Sequence, residues 1–202
     1  MRALIVSVFL ITFGIESVWT QIPAYGLCPD VVVEEDFDIN SYMGKWFEYA
    51  RYPFVYEVAR KCNTVYYKKD DRKTISISNE SIDRYSGKKK NTTGTAKLRS
   101  SGKLSVSFRD SDPPRRPNYY ILGTDYNNYA IIFSCREMGI RNSHIEMLWI
   151  LTRKRKPSRQ IISEAFEVID ANSLSRSSLA KTEQENCGND YSTNGNFFNL
   201  YF

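Results

Sequence analysis

Apolar and polar positions alternate through most of the chain. Period-two runs fall at residues 64–68 (TVYYK), 74–79 (TISISN), 104–108 (LSVSF), 119–122 (YYIL), 129–133 (YAIIF) and 146–151 (EMLWIL), the pattern of strands that bury one face. Turn-rich spacers separate them: KDDRK, RYSGKKKN, RSSGK, DSDPPRRP, TDYNN and REMGIRN. A strand starting near Trp46 and another over 92–98 bring the number to eight, joined by short connections. One helix is predicted over about 158–171, where Pro157 and Ser158 start it and Ile161, Ile162, Ala165, Phe166 and Ile169 form an apolar stripe at helical spacing. A last short strand, LAKTE, leads to Cys187.

Eight meandering strands in so small a domain either stack as a sandwich or close on themselves. Closure removes exposed edges and leaves an interior large enough for one small ligand. The fold class read from the pattern is all-β, an eight-stranded antiparallel up-and-down β-barrel with one C-terminal α-helix packed outside.

Arg2 followed by an apolar run from Ala3 to Ile15 reads as a signal peptide over 1–20, too short to span a bilayer, with cleavage before Gln21. Residues 21–187 form one barrel domain, and 188–202 form an aromatic tail. The four cysteines, Cys28, Cys62, Cys135 and Cys187, lack any C-x-x-C spacing, so in an exported protein they read as two long-range disulfides with three pairings open. Asn79 in N-E-S and Asn91 in N-T-T are glycosylation acceptors. Asn79 shares parity with Ile75 and Ile77, so either it faces inward without a glycan or a bulge turns it out.

The formal charge of +5 is moderate, and no nucleic-acid-binding motif accompanies it. Its placement is more informative. Four loops share the end opposite Trp46, and there Arg60, Lys61, Lys88, Lys89, Lys90, Arg109, Arg115, Arg116, Arg136 and Arg141 face only Glu57, Asp110, Asp112 and Glu137, a net +6. The other end is nearly neutral. Either these lysines and arginines keep turns soluble, or the rim attracts carboxylates or an anionic surface.

Gly44-Lys45-Trp46 heads the first strand, Thr124-Asp125-Tyr126 joins the sixth and seventh, and Arg153 closes WILTR on the eighth. In this order and spacing they resemble the three conserved-region motifs of the lipocalins. The longer strings NSYMGKWFEYARYP, ILGTDYNNYAIIFSC and LWILTRKR are most similar to the branch holding apolipoprotein D, the Lazarillo proteins and the insect bilin-binding proteins. The resemblance implies a calyx whose closed floor is Gly44, Trp46 and Arg153, with the arginine stacked on the indole and Gly44 admitting a close backbone approach. It also implies disulfides Cys28–Cys135 and Cys62–Cys187.

With Cys135 facing outward, strict alternation sends Ala130, Ile132, Ser134 and Arg136 inward. The parity of Arg153 selects Leu151, Trp149, Met147 and Ile145, and the fifth strand offers Leu104, Val106 and Phe108. On the sixth, Tyr119 and Ile121 are the better inward set, although Tyr120 and Leu122 leave that face ambiguous. Such a lining suits a small hydrophobic, anionic ligand. A bilin or fatty acid is the expected occupant, and no cofactor is required.

Catalysis finds little support. A single histidine, His144, excludes a two-histidine metal site, no G-x-S-x-G surrounds any serine, and paired cysteines leave no thiolate. His144 is expected at the surface. The competing reading is an interaction module that engages a receptor or membrane through its loops or through Phe197, Phe198, Leu200, Tyr201 and Phe202.

Overall fold

Strand β1 (Ala24–Tyr25) is an outer strap, and helix α1 (Ile39–Tyr42) leads into the barrel. The barrel strands are β2 (Gly44–Arg51), β3 (Arg60–Lys69), β4 (Thr74–Asp83), β5 (Lys89–Ser100), β6 (Lys103–Ser107), β7 (Tyr119–Thr124), β8 (Tyr129–Glu137) and β9 (Ser143–Thr152). Each pairs antiparallel with the next, and β9 pairs back onto β2, from Phe47 opposite Thr152 to Arg51 opposite Trp149. The computed structural model describes residues 24–54, 59–109, 111–139 and 142–188. The expected leader, the tail beyond Gly188, and Glu57, Asp110 and Arg141 of the charge count lie outside these residues. The fold is an eight-stranded antiparallel closed barrel with a C-terminal helix, so the meander closes on itself and does not stack as a sandwich.

Helix α2 (Arg159–Ala171) is capped by the Ser158 hydroxyl, which accepts from the Ile161 N–H. It lies outside the barrel, where Ala165 and Ile169 are buried against Leu122, Ile131, Phe133, Leu148 and Ile150. Gly123 gives it room, since a Cβ there would stand 3.1 Å from Val168. The strands β7 to β9 therefore bury both faces and read as nearly continuous apolar runs. This resolves the ambiguous sixth strand: Ile121 packs inside, while Tyr120 and Leu122 face the helix.

Inside the barrel, Trp46 is fully buried at the end where β2 begins. Its indole N–H donates to the Tyr42 carbonyl at 2.9 Å, and the Arg153 guanidinium carbon lies 3.6 Å from the ring centroid. Arg153 donates to the carbonyls of Tyr126, Lys45, Ser41, Tyr42 and Met43, between 2.9 and 3.3 Å. Gly44 adopts φ +96°, a left-handed conformation that disfavours a side chain. An added Cβ there would meet Arg153 only at 3.4 Å. Backbone conformation, more than the expected collision, explains the glycine. Asp125 accepts from the N–H groups of Asn128 and Tyr129 at 2.8 and 2.9 Å and braces the β7–β8 turn that presents the Tyr126 carbonyl to Arg153.

The disulfides are Cys28–Cys135 and Cys62–Cys187, with sequence separations of 107 and 125. Each restrains the unfolded chain by about 4–5 kcal/mol in the chain-entropy account. The first ties the N-terminal strap to β8. The second anchors the segment holding β10 (Ala180–Lys181), which pairs with β2. His144 is 4% exposed, contrary to the surface position expected for it, because β1 covers it. Its Nδ1 lies 2.9 Å from the Gly26 carbonyl and its Nε2 3.1 Å from the Glu146 carboxylate.

Two outcomes follow from these contacts. Replacing Arg153 with Ala removes the donor from five exposed or part-buried carbonyls and uncovers the indole, so urea unfolding of the oxidised protein should show a loss of about 2–4 kcal/mol. A loss below about 1 kcal/mol would show that the floor holds without it. For His144, the Gly26 carbonyl raises the imidazole pKa most, burial opposes it, and Glu146 and Glu137 add to the rise. Only the imidazolium can donate to both acceptors. A raised folded value means this contribution is complete below about pH 6.5 and fades as pH climbs through the folded pKa. The stability gap between the wild type and His144→Gln should therefore be wider near about pH 5.5 than near about pH 8.

Candidate functional site

Above the floor, the inward side chains divide the barrel into a packed half and a hollow half. Leu104, Ile121, Ala130 and Ile132 are buried with Trp46, Tyr42, Val65, Tyr67 and Ile75 in one interior cluster. These predicted inward residues fill the lower barrel; of them, none lines the cavity. The cavity opens above them with a volume of about 530 Å³.

Two walls of different chemistry enclose it. Strands β6 to β9 and their connections contribute Val106, Phe108, Tyr119, Met147, Trp149 and Leu151, with Ser134 and Asn118 as polar points. Tyr119 and Trp149 are stacked with ring centroids 6.2 Å apart. Strands β2 to β5 contribute Glu48, Arg60, Asn63, Thr64, Asn79, Glu80, Ser81, Lys90 and Thr92, with Val65, Tyr67 and Ile77 below. Phe54 lies at the lip. Among the residues predicted to line the site, Trp149, Met147, Leu151, Ser134, Tyr119, Val106 and Phe108 meet in this cavity. Ile145 is half-buried at the rim, opposite the exposed Arg136, and neither belongs to the lining.

The polar wall was missed from sequence, although a signal existed: Glu48 stands two residues after Trp46 and so shares its face. Its Oε1 accepts from Arg51 and Thr182 and, at 3.0 Å, from the Asn63 amide. Glu48 is thus a buried, fully engaged acid. Arg60 faces Asp83 at 3.6 Å, whereas Lys90 has no ion pair among the described residues and is the free cation of the lining.

At the base, the Tyr67 and Tyr119 hydroxyls hydrogen-bond at 2.7 Å. Burial pushes both phenols well above their ordinary pKa; Tyr42 adds to the rise at Tyr67, where the bond from Tyr119 opposes it, and Tyr67 adds to the rise at Tyr119. They stay neutral. One bond between two hydroxyls leaves one hydrogen available to an acceptor.

Asn79 lines the cavity, and the register on both sides of it is unbroken, so no bulge turns it out. Asn91 is exposed on the outer face of β5, where its amide oxygen accepts from Ser78 at 3.1 Å.

A second cleft of about 650 Å³ lies outside the barrel, between α2 and the segment after it. It lies on the surface, and three of its four cations are engaged: Lys156 pairs with Glu185 at 3.5 Å, Arg155 donates to Gln184, and Lys181 sits 5.3 Å from the Tyr49 ring, while Arg159 has no ion pair among the described residues. The barrel cavity, surrounded by strands, is the better ligand site. Among the described residues, no group of His, Cys, Asp and Glu could hold a metal ion.

Residues 37–184 match the lipocalin-like domain family. The Lazarillo protein of Schistocerca americana is 35% identical over 162 residues, covering 78% of this chain and 74% of that one. Apolipoprotein D of Cavia porcellus is 29% identical over 166 residues, covering 81% and 85%. The solved structure of insecticyanin from the tobacco hornworm Manduca sexta superposes with a TM-score of 0.70 at 26% identity, covering 81% of this chain and 89% of that one. A one-ended barrel floored by Trp46 under Arg153, matched across most of its length by these relatives, belongs to the lipocalin family.

Proposed function

We propose that this protein is an exported carrier of one small amphiphilic molecule, a binder and not a catalyst. The observation that carries the reading is the two-walled cavity. An aromatic and aliphatic wall of Trp149, Tyr119, Met147 and Val106 faces a polar wall of Asn79, Ser81, Thr92 and Lys90 across about 530 Å³, within the range of small-molecule sites. The apolar leader and the two disulfides support export.

The walls discriminate between ligand classes. A saturated fatty acid would satisfy the aromatic wall and leave Asn79, Thr64 and Thr92 facing hydrocarbon, which costs free energy for every polar group left unpaired. A flat conjugated molecule with polar groups along one edge and a carboxylate at one end meets both walls, and an open-chain tetrapyrrole of the bilin class has this form. Its face would lie against Trp149, its carboxylate would reach Lys90, and a carbonyl oxygen could accept the spare Tyr67–Tyr119 hydrogen.

Native protein should carry about one equivalent of a pigment with long-wavelength visible absorbance. Colourless lipid at the same stoichiometry would indicate fatty-acid carriage. Repeated preparations with nothing bound would favour the interaction-module reading. Lys90→Gln should weaken an anionic ligand about tenfold, the scale of one charge-assisted hydrogen bond, and leave its neutral ester unchanged. Equal affinity for the anion would remove Lys90 from the site.

We also propose that Asn91 carries a glycan and Asn79 does not, since a sugar on Asn79 would have to occupy the cavity. Glycosidase treatment of secreted protein should lower the mass by one glycan, and Asn91→Gln should abolish that change. Loss of the change in Asn79→Gln instead would overturn the assignment.

A further inference from the structure

The large hydrophobic side chains left exposed are unevenly placed. Seven are exposed among the described residues, and five of them, Tyr25, Leu27, Tyr85, Phe108 and Met138, ring the open end of the barrel. Tyr25 and Leu27 lie on the strap beside the start of β9, Tyr85 on the β4–β5 turn, Phe108 just past β6, and Met138 just past β8. Tyr25 and Tyr85 are each 86% exposed. Phe108 is held in place because its ring lies over Gly94, where a Cβ would come within 2.6 Å of it.

Cations share this rim. Lys88, Lys89, Lys90, Arg109 and Arg136 have no ion pair among the described residues, and Glu80 and Glu137 are the unpaired carboxylates near them; Arg115 and Arg116 follow a segment that folds back onto Lys97, Arg99 and Ser105 outside the barrel, away from the rim. Other mouth cations are spent locally: Arg60 on Asp83, and Lys61 and Arg84 on Glu183.

We propose that the open end docks on an anionic phospholipid surface, with the tyrosines, Leu27 and Met138 at headgroup depth and the free cations against lipid phosphates and carboxylates. The arrangement of the rim selects a bilayer over a protein. The exposed apolar groups come from separate loops around a hole, so they do not form the continuous, close-packed core that a protein interface needs. A fluid lipid surface conforms to separate points, and tyrosine with basic residues is the pairing suited to its interface. Docked in this way, the cavity would open directly onto lipid. The inference stands on the exterior of the rim and does not depend on the cavity holding a ligand.

Sedimentation with lipid vesicles tests it. The wild-type protein should bind phosphatidylcholine vesicles containing about 30% phosphatidylserine at least about tenfold more tightly than phosphatidylcholine alone. Lys88→Gln with Lys89→Gln should weaken that binding about tenfold or more. Tyr25→Ser with Tyr85→Ser should weaken it several-fold, and neither pair touches the cavity lining or a buried contact, so a cooperative unfolding transition unchanged from wild type checks their folding. The proposal requires both losses. Equal binding to neutral vesicles, full binding by either variant, or no binding by the wild type overturns it. Wild-type protein that ignores vesicles yet sediments with cell membranes in a protease-sensitive manner would place a protein receptor at this rim and overturn it equally.

Discussion

The molecule depends on one planar cation. Arg153 closes the last barrel strand, stacks on Trp46 from the first, and donates to five carbonyls contributed by the α1 turn, β2 and the β7–β8 turn. A guanidinium can do this because its donors lie in one plane at fixed angles and its face is weakly hydrated. The contact joins the first strand to the last, so the same interaction that seals the floor also secures the ring. Once one end is sealed by Trp46, Tyr42 and Phe37, the volume the barrel cannot fill is displaced to the other. The cavity therefore opens at one end, opposite the floor.

That asymmetry is written along individual strands. From floor to mouth, the inward positions run Trp46 then Glu48 on β2, Tyr67, Val65 and Asn63 on β3, Ile75, Ile77, Asn79 and Ser81 on β4, and Ala96, Gly94, Thr92 and Lys90 on β5. Each starts apolar where side chains are packed and turns polar where they face the cavity. The sequence conflict over Asn79 was a trace of this gradient. A polar residue at apolar parity looks like a register error when a uniformly greasy interior is assumed, and it marks the start of the hollow once a wet upper half is allowed. Strands β6 and β9 keep apolar parity throughout, with Leu104, Val106 and Phe108 on one and Leu151, Trp149 and Met147 on the other. Their lining was legible for that reason.

The strands, the helix and its cap were readable because alternation and capping are local, and closure followed from the need to remove exposed edges together with the floor motifs that join Trp46 to Arg153. Two buried polar groupings were not, because each needs partners more than 100 residues away. Strands β2 and β3 pair only from Gly44 to Phe47 and then part toward the mouth. The gap is occupied by the C-terminal segment, where Gln184 donates to the carbonyls of both Glu48 and Asn63, the Cys62 N–H donates to the Glu183 carbonyl, and Thr182 bonds Glu48. No strand-parity argument reveals that Glu48 has a donor waiting in a segment 134 residues on. His144 is the second case: its position at a strand start predicts exposure, and only the strap that returns through Cys28 buries it.

The division of labour between floor and walls also bears on what relatives can teach. The floor residues make contacts that any closed calyx of this kind needs, so a likeness of about a third identity carries the fold reliably. Part of the lining also braces the barrel, as Glu48 does through Asn63 and Asn118 through Val106, whereas Asn79, Ser81, Thr92 and Lys90 line the cavity without bracing the barrel. Exchanging such side chains alters the polar wall at little cost in stability. Much of the polar edge of β4 and β5, which lines the same cavity as Tyr119 and Trp149, is therefore free to vary apart from the residues that hold the fold.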